Sequence, residues 1–215
     1  MSESAHSPHA LQAPPGRQAL RRRFRRLRRA LGTTTQAAHA QAVARHFFAA
    51  ALHLKGRTVG LYLPNDGEVD TAPLLARLLR TRRRLVLPVV RGGRVLEFYR
   101  YRADTPLIVN RFGIPEPAPG ARYVPSLAVD LLLMPLVAFD DQGVRLGMGA
   151  GYYDRCLGRL PAGLRPRLVG IAHEVQRSPD PLPAASWDVP LDGVLTERGW
   201  QAFSHARPRT GGDGG

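Results

Sequence analysis

Cysteine occurs once in 215 residues, as Cys156, so no disulfide can form within the chain. A chain with a single thiol suits a reducing cytoplasm, and a cytoplasmic location is the expectation. No histidine lies near Cys156 in sequence, so it reads as a small packing residue rather than a nucleophile. Lysine is equally scarce. Lys55 stands alone, far from any glycine cluster, which excludes a Walker A loop with its Gly-Lys-Ser/Thr ending. The dinucleotide fingerprint Gly-x-Gly-x-x-Gly is missing too, because Gly147, Gly149 and Gly151 are followed by Tyr152. No apolar run approaches the roughly 20 residues that cross a bilayer. Residues 1–16 carry His, Ser and Pro but no apolar stretch of a secretory signal. There is no internal repeat, and no heptad seam lasts beyond two turns.

Positive charge, by contrast, is abundant: 31 Lys and Arg against 17 Asp and Glu leave a net +14. Such an excess points to an anionic partner, either nucleic acid or small phosphorylated and carboxylated ligands. Arginine supplies nearly all of it, a bias that codon composition can also produce, so charge does not separate the two.

Residues 17–205 are expected to form one domain, between disordered tails at 1–16 and 206–215. Arg17–Leu31 reads as a helix with Leu20, Phe24, Leu27 and Leu31 on its apolar stripe and solvated arginines elsewhere. Gly32 ends it, and Thr33–Thr35 are placed to cap a helix over Gln36–Leu52. Strands are predicted at Thr58–Pro64, Arg84–Val90, Val95–Tyr101, Val129–Val137, Arg167–Ala172 and Gly193–Thr196. Helices are predicted at Thr71–Thr81, with Pro73 in its first turn, and at Tyr152–Leu160. Asp104–Pro125 reads as a long Pro-rich connection. Alternating strands and helices imply an α/β fold: a three-layer α/β/α sandwich with a mostly parallel, Rossmann-like sheet. Ligands then bind beyond the carboxyl ends of the strands, so Pro64–Thr71 and Phe139–Asp154 should share that rim.

The densest signal is Arg145-Leu146-Gly147-Met148-Gly149-Ala150-Gly151-Tyr152-Tyr153-Asp154-Arg155, lying between a buried strand and a short helix. Alternate glycines let a backbone turn tightly and approach a ligand, and its N–H groups can cradle an anion. Arg145 and Arg155 add charge, although Arg155 reads equally as a solvated helix arginine. Asp154 has two readings, a carboxylate complementing the helix dipole or a metal ligand.

With its flanks, this segment resembles the phosphate loop of the 5-formyltetrahydrofolate cyclo-ligase (methenyltetrahydrofolate synthetase) family. The resemblance runs from about Arg17 to Gly199. It includes Leu61–Pro64 followed by Gly67-Glu68-Val69-Asp70-Thr71, then Phe112-Gly113-Ile114-Pro115-Glu116-Pro117, and finally Trp187-Asp188 through Asp192. It implies ATP-dependent conversion of 5-formyltetrahydrofolate, with or without a polyglutamate tail, to 5,10-methenyltetrahydrofolate, ADP and phosphate. It implies ATP contacts from Arg145, Leu146, Gly147, Met148, Gly149, Ala150, Gly151, Tyr152 and Tyr153, with Arg145 catalytic. Arg17-Gln-Ala-Leu-Arg21 resembles the family's Lys-x-x-Leu-Arg nucleotide contact, Arg17 standing in for the lysine. Folate would meet Glu68, Tyr152 and Tyr153. Mg²⁺ would be held by Asp154 and Asp188, with Asp192 the competing second ligand. Asp70 reads as a helix cap. Phe98, Met134 and Trp187 read as core or pocket wall. No membrane partner is expected. The rival reading is a cyclo-ligase-like protein without activity that binds nucleic acid through the Arg-rich helix.

Overall fold

A computed structural model describes residues 16–92 and 95–204. The two expected tails lie outside these residues, apart from Gly16. Eight strands form one mixed sheet in the order β12-β11-β10-β7-β1-β2-β3-β6. The central five are β1 (Thr58–Gly60), β2 (Arg84–Arg91), β7 (Leu131–Pro135), β10 (Arg167–Ile171) and β11 (Gly193–Thr196), and they run parallel. Antiparallel strands extend both edges: β3 (Val95–Tyr101) and β6 (Tyr123–Val124) on one side, β12 (Gly199–Ala202) on the other.

The two-residue period of the strands divides the core. Val59, Leu85, Leu131, Leu133, Val169 and Leu195 point to one face, where α2 (Thr33–Ala49) and α3 (Ala72–Leu79) pack. Val86, Leu132, Met134, Leu168 and Val194 point to the other, beneath α4 (Tyr152–Gly158) and the Val189–Leu191 segment. Parallel strands buried on both faces need apolar residues at every position, which is why they read as continuous runs.

Several boundaries differ from expectation. Thr33–Thr35 form the first turn of α2 with Gly32 as N-cap, and no side chain caps it. Asp70 does cap α3: its Oδ1 accepts the Ala72 N–H at 2.9 Å. In α1 (Arg17–Arg29) the buried line is Leu20, Phe24 and Arg28, an i, i+4, i+8 row, while Leu27 is 39% exposed. The Asp104–Pro125 connection is not structureless. It holds the hairpin β4 (Leu107–Val109) and β5 (Pro115–Pro117), which packs on β2 and β3, and then β6. A second hairpin, β8 (Ala138–Phe139) and β9 (Arg145–Leu146), precedes the glycine loop. These short strands have no alternation long enough to show in sequence.

Among the described residues, no helix is long and apolar enough to cross a membrane.

Candidate active site

The glycine loop is aimed by the β8–β9 hairpin. Asp140, itself buried, closes the hairpin turn by accepting the N–H groups of Gln142 and Val144 through Oδ1. Its Oδ2 accepts the Leu182 N–H at 2.9 Å and ties the turn to the following loop. Gly143 takes the left-handed φ of 80° that the turn requires. Arg145 thereby leaves β9 buried, 5% exposed, at the wall of a cavity of about 370 Å³. Gly149 and Gly151 also lie at positive φ, 104° and 66°, and Gly151 opens α4. A Cβ on Gly149 would sit 3.4 Å from the Arg21 guanidinium, so the loop and α1 are in close contact.

That cavity lies beyond the carboxyl ends of β1, β2 and β7. Glu68 and Asn65 approach from the segment after β1, and Pro135 and Leu136 from the end of β7. Asn110, Phe112 and Ile114 enter from the β4–β5 hairpin, and Met148 through Asp154, Gly149 excepted, from the loop and α4. Phe112 meets Tyr152 edge-on, ring centroids 6.4 Å apart. The two halves of the rim are therefore walls of one cleft, mainly apolar with a few convergent polar groups.

Arg145 Nη2 donates to Asp154 Oδ1 at 2.6 Å, and Nη1 donates to the Val189 carbonyl. Asp154 Oδ1 also accepts the Val189 N–H at 3.2 Å. Arg17 grips Asp188 with both Nη atoms, at 2.5 and 3.2 Å, while Ala185 N–H donates to Asp188 at 2.8 Å. The bonds from Arg17 and Ala185 hold the Asp188 carboxyl below its ordinary range, although partial burial opposes them. Arg21 Nε donates to the Gly147 carbonyl at 2.8 Å, across 126 residues of sequence. The structure thus brings Arg17 and Arg21 to the loop region and pairs each expected metal carboxylate with an arginine. Asp192 lies at the opening end of β11, on the opposite rim, where its Oδ2 accepts the Leu168 N–H at 2.7 Å. Arg155 donates to the Ala150 carbonyl within its own loop.

Glu68 is nearly enclosed. Burial pushes its carboxyl up to about 6, against the pull of Arg28 and the Asn65 N–H. Burial likewise pushes the hydroxyls of Tyr62 and Tyr153 upward, so both stay protonated donors at neutral pH. Trp187 does not line the cavity; it is 72% exposed. Phe98 and Met134 are core residues.

Arg28 is the residue that sequence reasoning missed. Grouped with the solvated arginines, it is fully buried. Nε donates to the Asp66 carbonyl at 2.8 Å, Nη2 to Asp66 Oδ2 at 2.7 Å, and Nη1 to the Leu136 carbonyl at 3.0 Å. Its Nη2 also stands 3.7 Å from Glu68 Oε1. Asp66, at a left-handed φ of 55°, further accepts from Arg25 and Arg29. The only hint in sequence was that position 28 continues the Leu20, Phe24 spacing.

Comparison with known proteins follows the geometry. The model of the 5-formyltetrahydrofolate cyclo-ligase family matches residues 14–197. The Escherichia coli K12 5-formyltetrahydrofolate cyclo-ligase is 39% identical over 177 residues, 80% of this chain and 96% of that protein. The Haemophilus influenzae protein of the same name is 37% identical over 183 residues, 83% of this chain and 96% of its own. Among solved structures, the Aquifex aeolicus 5,10-methenyltetrahydrofolate synthetase superimposes with a TM-score of 0.76 at 33% identity, covering 92% of this chain and 97% of that one. The Mycoplasma pneumoniae synthetase gives 0.68 at 27% identity, covering 84% and 98%.

Proposed function

The chain belongs to the 5-formyltetrahydrofolate cyclo-ligase family of ligases, and on that premise we propose that it makes 5,10-methenyltetrahydrofolate from 5-formyltetrahydrofolate at the expense of ATP. One observation carries the reading: Arg145, the glycine loop and Glu68 open onto a single cavity, with Arg21 bonded to the loop from outside. One end offers cationic and N–H groups for phosphates. The other offers a carboxylate and aromatic faces for a pterin.

The chemistry asks for both ends at once. A formyl oxygen bound to N5 is amide-like and cannot leave as such. Transfer of the γ-phosphoryl group to that oxygen releases ADP and creates a phosphate leaving group. N10 then attacks the formyl carbon, loses its proton, and phosphate departs as the ring closes. Nothing in this sequence needs a protein nucleophile. The site must align the formyl oxygen with the γ-phosphate and neutralise charge there. Arg145, held between Asp154 and the Val189 carbonyl, is pre-oriented for this. The loop N–H groups and Arg21 would hold the remaining phosphate oxygens. Glu68 would accept pterin N–H groups, and Tyr152 and Tyr153 would pack on the ring system.

Mg²⁺ fits the residues present. Asp154 lines the cavity beside the phosphate loop, and a magnesium ion takes one or two carboxylates together with phosphate oxygens and water. Asp154 would hold it. Asp188, now gripped by Arg17, would join as Arg17 turns to the nucleotide. Bound there, the ion supplies electrostatic neutralisation of the phosphates.

The nucleic-acid alternative loses ground in α1 itself. Arg17, Arg21, Arg25, Arg28 and Arg29 are engaged with Asp188, Gly147 and Asp66, which leaves Arg22, Arg23 and Arg26, with the outer side of Arg29, as the exposed basic face. The deciding experiment follows the ultraviolet absorbance of methenyltetrahydrofolate with purified protein. Product should accumulate with ATP and Mg²⁺ together and not when either is left out. Turnover that ignores ATP would overturn the proposal.

A further inference from the structure

A second cluster lies away from the cavity, at the carboxyl ends of β10 and β11. His173 follows β10 and is fully buried. His39 projects from α2, and Glu197 sits in the turn between β11 and β12. One ligand atom from each falls within 4.8 Å of the other two. The Nδ1 atoms of the two imidazoles are 2.9 Å apart, and Glu197 Oε1 is 3.6 Å from His39 Nε2.

Ordinary packing does not account for this arrangement. Two Nδ1 atoms at hydrogen-bond distance can share only one proton, so at least one ring must be neutral. His173 is the fully buried ring of the two. Its remaining nitrogen, Nε2, is buried without a well-aligned hydrogen bond, the Gly67 backbone being its polar neighbour. Glu197 is held in place for a ligand. Oε2 accepts the Glu174 N–H at 3.0 Å, and the Glu197 carbonyl bonds His46 Nε2 at 3.1 Å, which turns Oε1 toward the histidines. His39 and Glu197 keep 18% and 16% side-chain exposure, so an ion has a way in.

We propose that His39, His173 and Glu197 bind a divalent transition-metal ion, distinct from any magnesium at the nucleotide. Two neutral imidazoles and a carboxylate suit Zn²⁺, Co²⁺ or Ni²⁺, whereas Mg²⁺ prefers an all-oxygen shell. Ligation at about 2.0–2.1 Å in a tetrahedron spaces two nitrogens roughly 3.3 Å apart, so the imidazole pair opens by only a few tenths of an ångström, while Glu197 Oε1, which stands beside His39 Nε2, must turn toward the Nδ1 pair. The ion replaces the shared proton and leaves a fourth position for water. It ties α2, the end of β10 and the β11–β12 turn together. Gln176, three residues after His173, links this region to the cavity wall by donating to the same Leu136 carbonyl that Arg28 holds, at 2.7 Å.

The test titrates Co²⁺ into the full chain with Mg²⁺ in excess, so that oxygen sites are occupied. Wild type should take up one ion per chain with the visible d–d absorption of a low-coordinate nitrogen–oxygen site, and Zn²⁺ should displace it and raise the melting midpoint. Glu197→Gln and His39→Ala, both at partly exposed positions, should weaken uptake at least tenfold while the apo proteins still melt cooperatively. Wild type without a stoichiometric site overturns the inference. So does undiminished uptake by both variants, which would place the ion on other histidines of the chain. Neither result bears on turnover of folate.

Discussion

Glu68 is an acid kept near neutrality by its surroundings, and that has two measurable consequences. Its folded value of about 6 stands above the ordinary 4.5, so the native state holds this proton more tightly than the unfolded chain does. Stability from the group is therefore complete below pH 4.5 and is lost as pH rises through 6, on the order of 2 kcal/mol. Glu68→Gln should abolish this part of the pH dependence, so that the melting difference between variant and wild type shifts in the variant's favour from pH 5 to pH 7. Parallel curves would show that Glu68 titrates as an ordinary surface acid. If Glu68 accepts pterin N–H groups, the same substitution should lower kcat/KM for folate about ten- to a hundred-fold, the worth of a charge-assisted hydrogen bond. ATP-analogue affinity by calorimetry should stay the same. Arg28 makes a contrasting case. Arg28→Met removes the guanidinium that donates to the Asp66 carbonyl, the Asp66 carboxylate and, beside Gln176, the Leu136 carbonyl, and should cost about 3 kcal/mol in urea melts, because a broken buried ion pair is expensive. Arg22→Ala, at an exposed position, should stay within about 0.5 kcal/mol. Equal effects would mean that the buried network contributes nothing specific.

At the scale of elements, α1 acts as a strap across the glycine loop. Leu20 and Phe24 anchor it against Val137, Ala138 and Leu146 of the β8–β9 region, and Arg21 reaches the Gly147 carbonyl. Arg21→Ala should raise KM for ATP several-fold and leave KM for folate alone, since Arg21 bonds the loop and Glu68 lies elsewhere on the rim. A change in both constants would mean that the loop collapses as a whole. The β8–β9 hairpin has its own keystone in Asp140, which satisfies three backbone N–H groups. Asp140→Ala strands those donors and should cost roughly 1–3 kcal/mol. It should also reduce kcat, because Arg145 leaves the far strand of the same hairpin. A stability loss with unchanged specific activity would separate the hairpin from the aim of Arg145.

For the molecule as a whole, the net charge of +14 finds part of its use inside the fold. Arginines bind carboxylates and carbonyls of separate elements: Arg17 to Asp188, Arg28 to Asp66 and Leu136, Arg145 to Asp154, Arg177 to Asp141. A ligand that binds only the native state must raise the melting midpoint. ATP with Mg²⁺ should therefore stabilise wild type measurably, and Asp154→Asn should lose most of that gain. It should also lose turnover, at a cost to the apo fold no larger than a partly buried ion pair. If Asp154→Asn melts far lower yet keeps wild-type activity, Asp154 is a structural partner of Arg145 and holds no metal.

The longer strands, the helices and the glycine loop were legible in the sequence, because apolar runs, the 3.6-residue periodicity and left-handed turns are local properties of the chain. Gly149 and Gly151 suit the positive φ angles of the loop, whereas Val59, Leu85 and Leu131 share a face only because strand pairing sets them in register. Burial of Arg28 was not legible. Leu27 and Arg28 are neighbours on one helix, and only the approach of Asp66 and the Leu136 carbonyl makes the arginine the better interior residue. The same is true of the short strands β4, β5, β8 and β9, whose pairing is set by partners rather than by pattern. It is also true of His39, His173 and Glu197, which no spacing connects. Side chains 134 residues apart meet because α2 lies across the carboxyl ends of β10 and β11, and packing alone decides that.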